Sequence, residues 1–86
     1  MMNIKSEQNW VRKVHLIAEY HKAQQAKHPK KRNHGIWKLA DTAKELGFST
    51  GYVSESIKIS DYIDKHPGDW TKVDRGTVLE MIRNET

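Results

Sequence analysis

The sequence predicts an all-α domain, a compact bundle of about four helices. Apolar residues recur every three or four positions in several separate stretches, which is the spacing of amphipathic helices. Glycine, proline and short polar residues stand between these stretches, where helices begin and end. No stretch alternates apolar and polar residues convincingly enough for a strand. With 86 residues, we expect a single domain, residues 1–86, with a small core.

Composition excludes several classes of protein. Charged residues make up 30% and hydrophobic residues 36% of the chain, which fits a soluble globular protein and not a disordered one. The absence of cysteine excludes disulfides and thiolate metal sites. No apolar run approaches the length of a membrane span, and no signal-peptide pattern opens the chain. We therefore expect a cytoplasmic protein with no membrane partner.

The first predicted helix runs from about Ser6, a plausible N-cap, to about Lys27. Glu7 would lie in its first turn, where the helix dipole favours negative charge. His28-Pro29 ends it, because the residue before proline is disfavoured in the α region. Its predicted inward face consists of Trp10, Val14, Ile17, Ala18 and His21, with Val11 beside them.

Positive charge is concentrated in one segment of the chain. The formal net charge is +4 and the pI is about 9.4, which indicates an anionic partner. Between residues 22 and 38 there are cations and no acids, so the remaining segments sum to a net negative charge. A basic segment on a nearly neutral body is typical of a phosphate contact, although a solvated charge run is the alternative. The cations are Lys22, Lys27, Lys30, Lys31, Arg32 and Lys38.

The stretch from Trp37 to Ile63 predicts a short helix, a tight turn and a second helix. The first of these helices is expected to turn Ala40, Ala43 and Leu46 toward the core. Gly47 should end it, because glycine adopts the left-handed conformation without steric penalty. Ala43, four positions before this glycine, is small and allows the two helices to cross closely.

The second helix follows a turn in which Phe48 is expected to be a buried plug. The hydroxyl groups of Ser49-Thr50 are placed to cap this helix. Ser56 is polar at a position where an aliphatic residue would suit the core, and its neighbour Ile57 is expected to supply that packing. The predicted apolar side comprises Val53, Ile57 and Ile63, with Ser60 one turn after Ile57.

This helix, turn and helix resembles the helix-turn-helix of ParB-type partition proteins and of many phage and plasmid DNA-binding proteins. The matching residues are AKELGFS at 43–49 and YVS at 52–54, within a stretch covering about a third of the chain. The resemblance implies sequence-specific binding of double-stranded DNA, as an origin- or operator-binding module in replication initiation or transcription regulation of a mobile element. An ordinary helical hairpin in a small α domain is the alternative.

In a helix-turn-helix, outward residues near the start of the second helix contact base edges in the major groove. The candidate base contacts are Ser49, Thr50, Gly51, Ser54, Glu55 and Lys58. Glu55 could accept a hydrogen bond from a cytosine amino group, and Lys58 could reach guanine or a phosphate. Tyr52 packs either on the DNA backbone or on the first helix of the pair. The candidate backbone contacts are Lys30, Lys31, Arg32, Asn33, His34, Lys38 and Tyr52.

A last short helix follows the turn signal His66-Pro67-Gly68-Asp69. Trp70 is expected to anchor this region on the core, and Asp74 reads as the N-cap. Val73 and Val78 have the spacing of a hydrophobic staple around that cap. The apolar stripe of the helix is Val78, Leu79 and Ile82.

No residue pattern indicates an enzyme. The five histidines include no pair at the i, i+4 spacing of a helical metal site. The acids are scattered, and there is neither a nucleophile elbow nor a phosphate-binding loop. We expect a non-enzymatic protein without a cofactor, a metal or a small-molecule ligand.

Two other functions stay open. Leu16 and Tyr20 form a second apolar pair on the first helix, suited either to the core or to a dimer contact, and a protein-interaction module would use it together with the last helix. Alternatively, the basic loop would bind structured RNA. For DNA, one helix-turn-helix usually requires a second copy, so a homodimer or tandem copies are expected. The chain also fits the N-terminal domain of a longer protein.

Overall fold

A computed structural model of the chain describes residue 4, residues 7–27 and residues 37–85. These residues form four α-helices, and they contain no strand. The helices are α1 (Trp10–Lys27), α2 (Leu39–Leu46), α3 (Thr50–Lys65) and α4 (Arg75–Asn84), and a 3-10 turn (Trp70–Lys72) stands between α3 and α4. The prediction of an all-α bundle of about four helices is confirmed.

The start of α1 lies later than predicted. The side-chain oxygen of Asn9 accepts hydrogen bonds from the backbone N–H groups of Val11 (3.0 Å) and Arg12 (3.3 Å), so Asn9 is the N-cap. Glu7 precedes the helix and forms an ion pair with Arg12 at 2.9 Å. Ser6, the predicted cap, lies outside the described residues. The helix continues to Lys27, the last described residue before the gap, and the predicted stop at His28-Pro29 lies outside the described residues.

The turn between α2 and α3 matches its prediction. Gly47 is left-handed, with a φ of 79°, and its N–H and that of Phe48 both donate to the carbonyl of Ala43 at 2.9 Å. The Ser49 hydroxyl accepts from the N–H of Tyr52 at 3.1 Å and caps α3. A helix stop and a helix cap in close succession therefore fix the length of the turn.

The core has two clusters, and both include residues of α1 and α3. The first, which we call the α4-side cluster, consists of the buried residues Val14, Ile59, Ile63 and Val78. The second, the α2-side cluster, consists of Ile17, Ala43 and Val53. The central pair α1 and α3 thus holds α2 at one end of the core and α4 at the other.

Two expectations about the α2 end of the core were wrong. Ala40 is exposed, whereas Thr42 is fully buried. The reason is polar pairing: the Thr42 hydroxyl lies 2.7 Å from Nδ1 of His21 on α1, which turns this side of α2 inward. Phe48 is only half-buried, at the edge of the α2-side cluster, and is not a buried plug.

On α3, the inward face includes a serine. Ser56 is fully buried, and its hydroxyl donates to the carbonyl of Tyr52 at 2.8 Å, which satisfies the polar group inside the core. Ile59, which the sequence analysis did not select, is also fully buried. Ile57 packs against the α2-side cluster but stays half-buried, so it does not replace Ser56 in the core.

The last part of the chain follows its prediction except at the cap. Trp70 packs against the α4-side cluster, and its indole N–H donates to the carbonyl of His66 at 2.7 Å. Asp74 occupies the N-cap position of α4, but its side chain makes no capping hydrogen bond. Val73, before the cap, also packs against the α4-side cluster.

Candidate nucleic-acid interface

The predicted base-contacting residues lie on α3 or its cap. Helical spacing places Gly51, Ser54 and Lys58 on the side opposite the buried residues of this helix. Four of the six predicted residues are exposed, and Ser54 and Glu55 are half-buried. We call this side of α3, from Ser49 to Lys58, the outer face.

The glycine in the outer face has no structural explanation within the described chain. A Cβ placed on Gly51 would meet no atom within 4 Å, and its φ is not positive. Glycine destabilises a helix interior by roughly 0.5–1 kcal/mol relative to alanine. Neither packing nor backbone conformation therefore requires glycine here, and the position is open to close approach from outside.

One outer-face side chain is already partnered inside the protein. The carboxylate oxygen Oε1 of Glu55 lies 3.6 Å from Nη2 of Arg75, the first residue of α4. Arg75 is not among the site residues that the sequence predicts. A cation in the first turn of a helix is disfavoured by the helix dipole, and this was the available signal that Arg75 has partners elsewhere.

Tyr52 is held by contacts within the protein. Its ring centroid lies 4.9 Å from that of Phe48, and the guanidinium carbon of Arg75 lies 4.3 Å from the Tyr52 centroid. The ammonium of Lys13, on α1, lies 5.9 Å from the same centroid. These contacts are with the turn, α4 and α1, so they favour packing of Tyr52 within the protein but do not place its ring on α2, the first helix of the pair. A contact between Tyr52 and the DNA backbone stays a prediction.

A groove of about 440 Å³ lies beside the outer face, and two lysines that are distant in the sequence line it. Lys22 of α1 and Lys58 of α3 both line it, and neither forms an ion pair with a described residue. The side chain of Gln25 and the outer-face residue Ser54 line the same groove. The sequence analysis counted Lys22 in the basic segment but did not place it near α3.

The other predicted backbone contacts are only partly covered. Lys38 is exposed at the start of α2. The predicted contacts Lys30, Lys31, Arg32, Asn33 and His34 lie outside the described residues.

A buried polar network lies beneath this groove. The indole N–H of Trp37 donates to the Thr42 hydroxyl at 2.6 Å, and the same oxygen lies 2.7 Å from Nδ1 of His21. Burial lowers the pKa of His21 from its usual value of 6.5. A neutral His21 can accept the Thr42 proton at Nδ1, so each group in this chain of contacts has a partner.

Other surfaces offer less chemistry. In residues 4, 7–27 and 37–85, no group of three histidine or acidic residues is close enough to hold a metal ion. Leu16 and Tyr20 are both half-buried and belong to neither core cluster. None of the described helices is both long enough and apolar enough to span a lipid bilayer.

Comparisons with protein-family models, with curated proteins and with solved structures find no significant match. The resemblance to ParB-type and phage or plasmid proteins therefore still rests on the residues at 43–49 and 52–54 alone.

Proposed function

We propose that this protein binds double-stranded DNA in a sequence-dependent manner through the outer face of α3. The observation that carries the proposal is the open position of Gly51 on the same face of α3 as Lys58, which has no ion-pair partner among the described residues. A polar, largely exposed helical face that follows a tight turn suits insertion into the major groove, which admits one α-helix.

Each part of the outer face has a distinct task in this proposal. The start of α3 directs free backbone N–H groups, with the hydroxyls of Ser49 and Thr50, toward phosphate or base edges. Ser54 donates to or accepts from a base. One oxygen of Glu55 accepts from a cytosine amino group, and Lys58 reaches guanine or a neighbouring phosphate.

In this proposal, lysines on and beside the outer face contact the DNA phosphates. Lys22 and Lys58 line one groove, and exposed Lys38 stands at the start of α2. Lysines that neutralise phosphates release counterions, so their contribution falls as salt rises. The lysines set the register of the domain, and the outer face supplies the preference for bases.

The corresponding biological role is that of an origin- or operator-binding module of a phage, plasmid or other mobile element, acting in the cytoplasm without catalysis. This role rests on the resemblance described above. A single recognition helix contacts few base pairs. We therefore propose that two copies of this protein bind the DNA together, as a homodimer or in tandem.

Selection of bound duplexes from a random DNA pool at two salt concentrations tests the proposal. We expect an enriched motif, with Lys58→Ala reducing the salt dependence of binding by about one counterion. Lys72→Ala is the matched control, because this exposed lysine lies on the 3-10 turn outside α3. Binding without an enriched motif would contradict base reading by α3.

A duplex RNA competitor at the same concentration separates the DNA and RNA functions. Displacement of DNA by RNA of unrelated sequence would contradict the proposal.

A further inference from the structure

We propose that Arg75 is a positioning residue of the DNA-binding surface, which fixes and neutralises the Glu55 carboxylate so that the outer face of α3 can approach DNA. The inference rests on the proposed function and adds a residue from α4 to it. Arg75 itself acts through Glu55 and is not assigned a contact with a base.

The guanidinium of Arg75 contacts three side chains along one side of α3. Its carbon lies 4.3 Å from the ring centroid of Tyr52, and its Nη2 lies 3.6 Å from Oε1 of Glu55. The same Nη2 donates to the hydroxyl of Ser56 at 3.4 Å. Since Ser56 is fully buried, Arg75 is attached to a rigid part of the core and not to a mobile surface side chain.

The arrangement leaves part of the Glu55 carboxylate available. The ion pair uses Oε1, and the Glu55 side chain keeps 39% of its surface exposed, against 23% for Arg75. The second oxygen can therefore accept a hydrogen bond from a cytosine amino group while Arg75 holds the first. The contact of 3.6 Å between Nη2 and Oε1 is an ion pair without a hydrogen bond, so it fixes the place of the carboxylate and not the direction of its lone pairs.

Electrostatics gives Arg75 a second task. Among the six predicted base-contacting residues, Glu55 is the one acid. A carboxylate near the DNA backbone is repelled by the phosphates, and Arg75 is the cation with which Glu55 forms its ion pair in the described structure. Without Arg75, the Glu55 carboxylate would approach the phosphates without the cation that pairs with it in the described structure.

The position of Arg75 in its own helix supports this assignment. A cation in the first turn of α4 is opposed by the helix dipole, so it gains nothing locally. The three contacts named above all lie on α3, nineteen residues away in the chain for Ser56. The side chain is thus placed by the partner helix.

The test compares four proteins: the unaltered chain, Glu55→Gln, Arg75→Ala and the double variant. The readout is affinity for the selected duplex and for duplexes changed at each base pair, measured at a temperature where circular dichroism shows every variant folded. We expect Arg75→Ala to weaken DNA binding about tenfold. At one base pair of the selected duplex, the variant should also bind the four possible bases with more similar affinities. Lys72→Ala is the control and should change neither.

The double variant decides the mechanism. Because Glu55→Gln removes the charge that Arg75 neutralises, the double variant should recover most of the affinity lost in Arg75→Ala, without the base preference. Arg75→Lys should keep the affinity but lose part of the preference, since lysine carries the charge without the planar fork.

Three results would overturn the inference. Unchanged binding by Arg75→Ala would remove Arg75 from the surface while leaving DNA binding by α3 intact. A loss that Glu55→Gln does not restore would make Arg75 a direct phosphate contact or a purely structural residue. If the unaltered chain binds no duplex, the proposed function fails and the inference fails with it.

Discussion

The starts of α3 and α4 are built on the same five-residue pattern and yet face different surroundings. Residues 49–53 (STGYV) and residues 74–78 (DRGTV) each run from a polar N-cap through a second-position glycine to a valine. Both valines are fully buried, one in each core cluster. Both glycines are open, because a Cβ added at either position would meet no described atom within 4 Å. Local sequence has therefore produced two helix starts with the same placement of cap, glycine and buried valine.

The first helical residue makes the difference. Thr50 begins α3 and is exposed, whereas Arg75 begins α4 and reaches back to Tyr52 and Glu55. One helix start is thus left open to solvent, and the other is used to support it. The comparison shows that the same local pattern leaves one helix start open to solvent and gives the other an internal contact, according to the side chain of the first helical residue.

The largest expected effect tests whether the two starts are equally anchored. Val53→Ala and Val78→Ala each remove two buried methyl groups, and we expect each to lower the free energy of unfolding by about 2 kcal/mol. Urea denaturation measures both. Met81→Ala is the control, because Met81 is the exposed large apolar residue among the described ones. Similar losses would mean that both helix starts are anchored equally in the core, and a loss at only one valine would contradict this.

The two glycines separate binding from stability. Gly51→Ala and Gly76→Ala should each stabilise the fold by up to about 1 kcal/mol, because neither added methyl group meets a neighbour. We expect DNA affinity to fall about tenfold with Gly51→Ala and to stay unchanged with Gly76→Ala. A methyl group at position 51 would stand between α3 and the major groove of the DNA. Thermal unfolding and duplex titration measure the two properties. Equal DNA affinity for the two variants would argue against close approach at Gly51.

The caps should differ in energy. Ser49→Ala removes the hydrogen bond to the N–H of Tyr52 and should destabilise the protein by about 1 kcal/mol. Asp74 makes no capping hydrogen bond, so Asp74→Ala should lose only its interaction with the helix dipole, roughly 0.3–1 kcal/mol. Urea denaturation at low and high salt distinguishes them, because only the Asp74 contribution should shrink with salt. A larger loss at Asp74 would contradict the geometry of the two caps.

The smallest effect that we expect is a pH dependence of stability that arises from His21, on the α2 side of the core. The pKa of His21 is lowered by burial below its usual value of 6.5, so the folded state binds fewer protons than the unfolded state. His21 therefore contributes full stability above pH 6.5, and part of it is lost as the pH falls below that value. The indole N–H signal of Trp37, whose partner Thr42 also contacts His21, should respond to this titration in an NMR spectrum.

The α4 side provides the internal control for this titration. The indole N–H of Trp70 donates to the His66 carbonyl, and in a His66→Gln background its signal should be insensitive over the same interval, because the imidazole at this position is then absent. His21→Asn should abolish the response of Trp37. An equal response of both indoles would mean that acid loosens the whole core.

Features governed by neighbouring residues were predicted well. The stop at Gly47 and the cap at Ser49 depend on backbone conformation and on a hydrogen bond within three residues. The same holds for the last helix and its buried Val78. By contrast, the predicted inward position of Ala40 was wrong, because α2 is short and a contact with His21 sets its rotation.

The candidate site was predictable only where it depends on the local pattern of one helix. The outer face of α3 followed from helical spacing, and each of its residues lies on the described helix or its cap. Arg75 and Lys22 were missed as neighbours of α3, because no local pattern shows which helices lie beside it. Whether these residues contact DNA stays a prediction.

Local sequence was enough to predict the end of α2, the starts of α3 and α4 and the buried valines, because these depend on glycine, on helix caps and on a 3.6-residue period. Only the tertiary structure decided that Ser56 is buried, that Thr42 pairs with His21 and that Arg75 joins Glu55. The physical reason is separation along the chain: Thr42 is twenty-one residues from His21, and Arg75 is nineteen from Ser56. Contacts at that range exist only once the helices have packed.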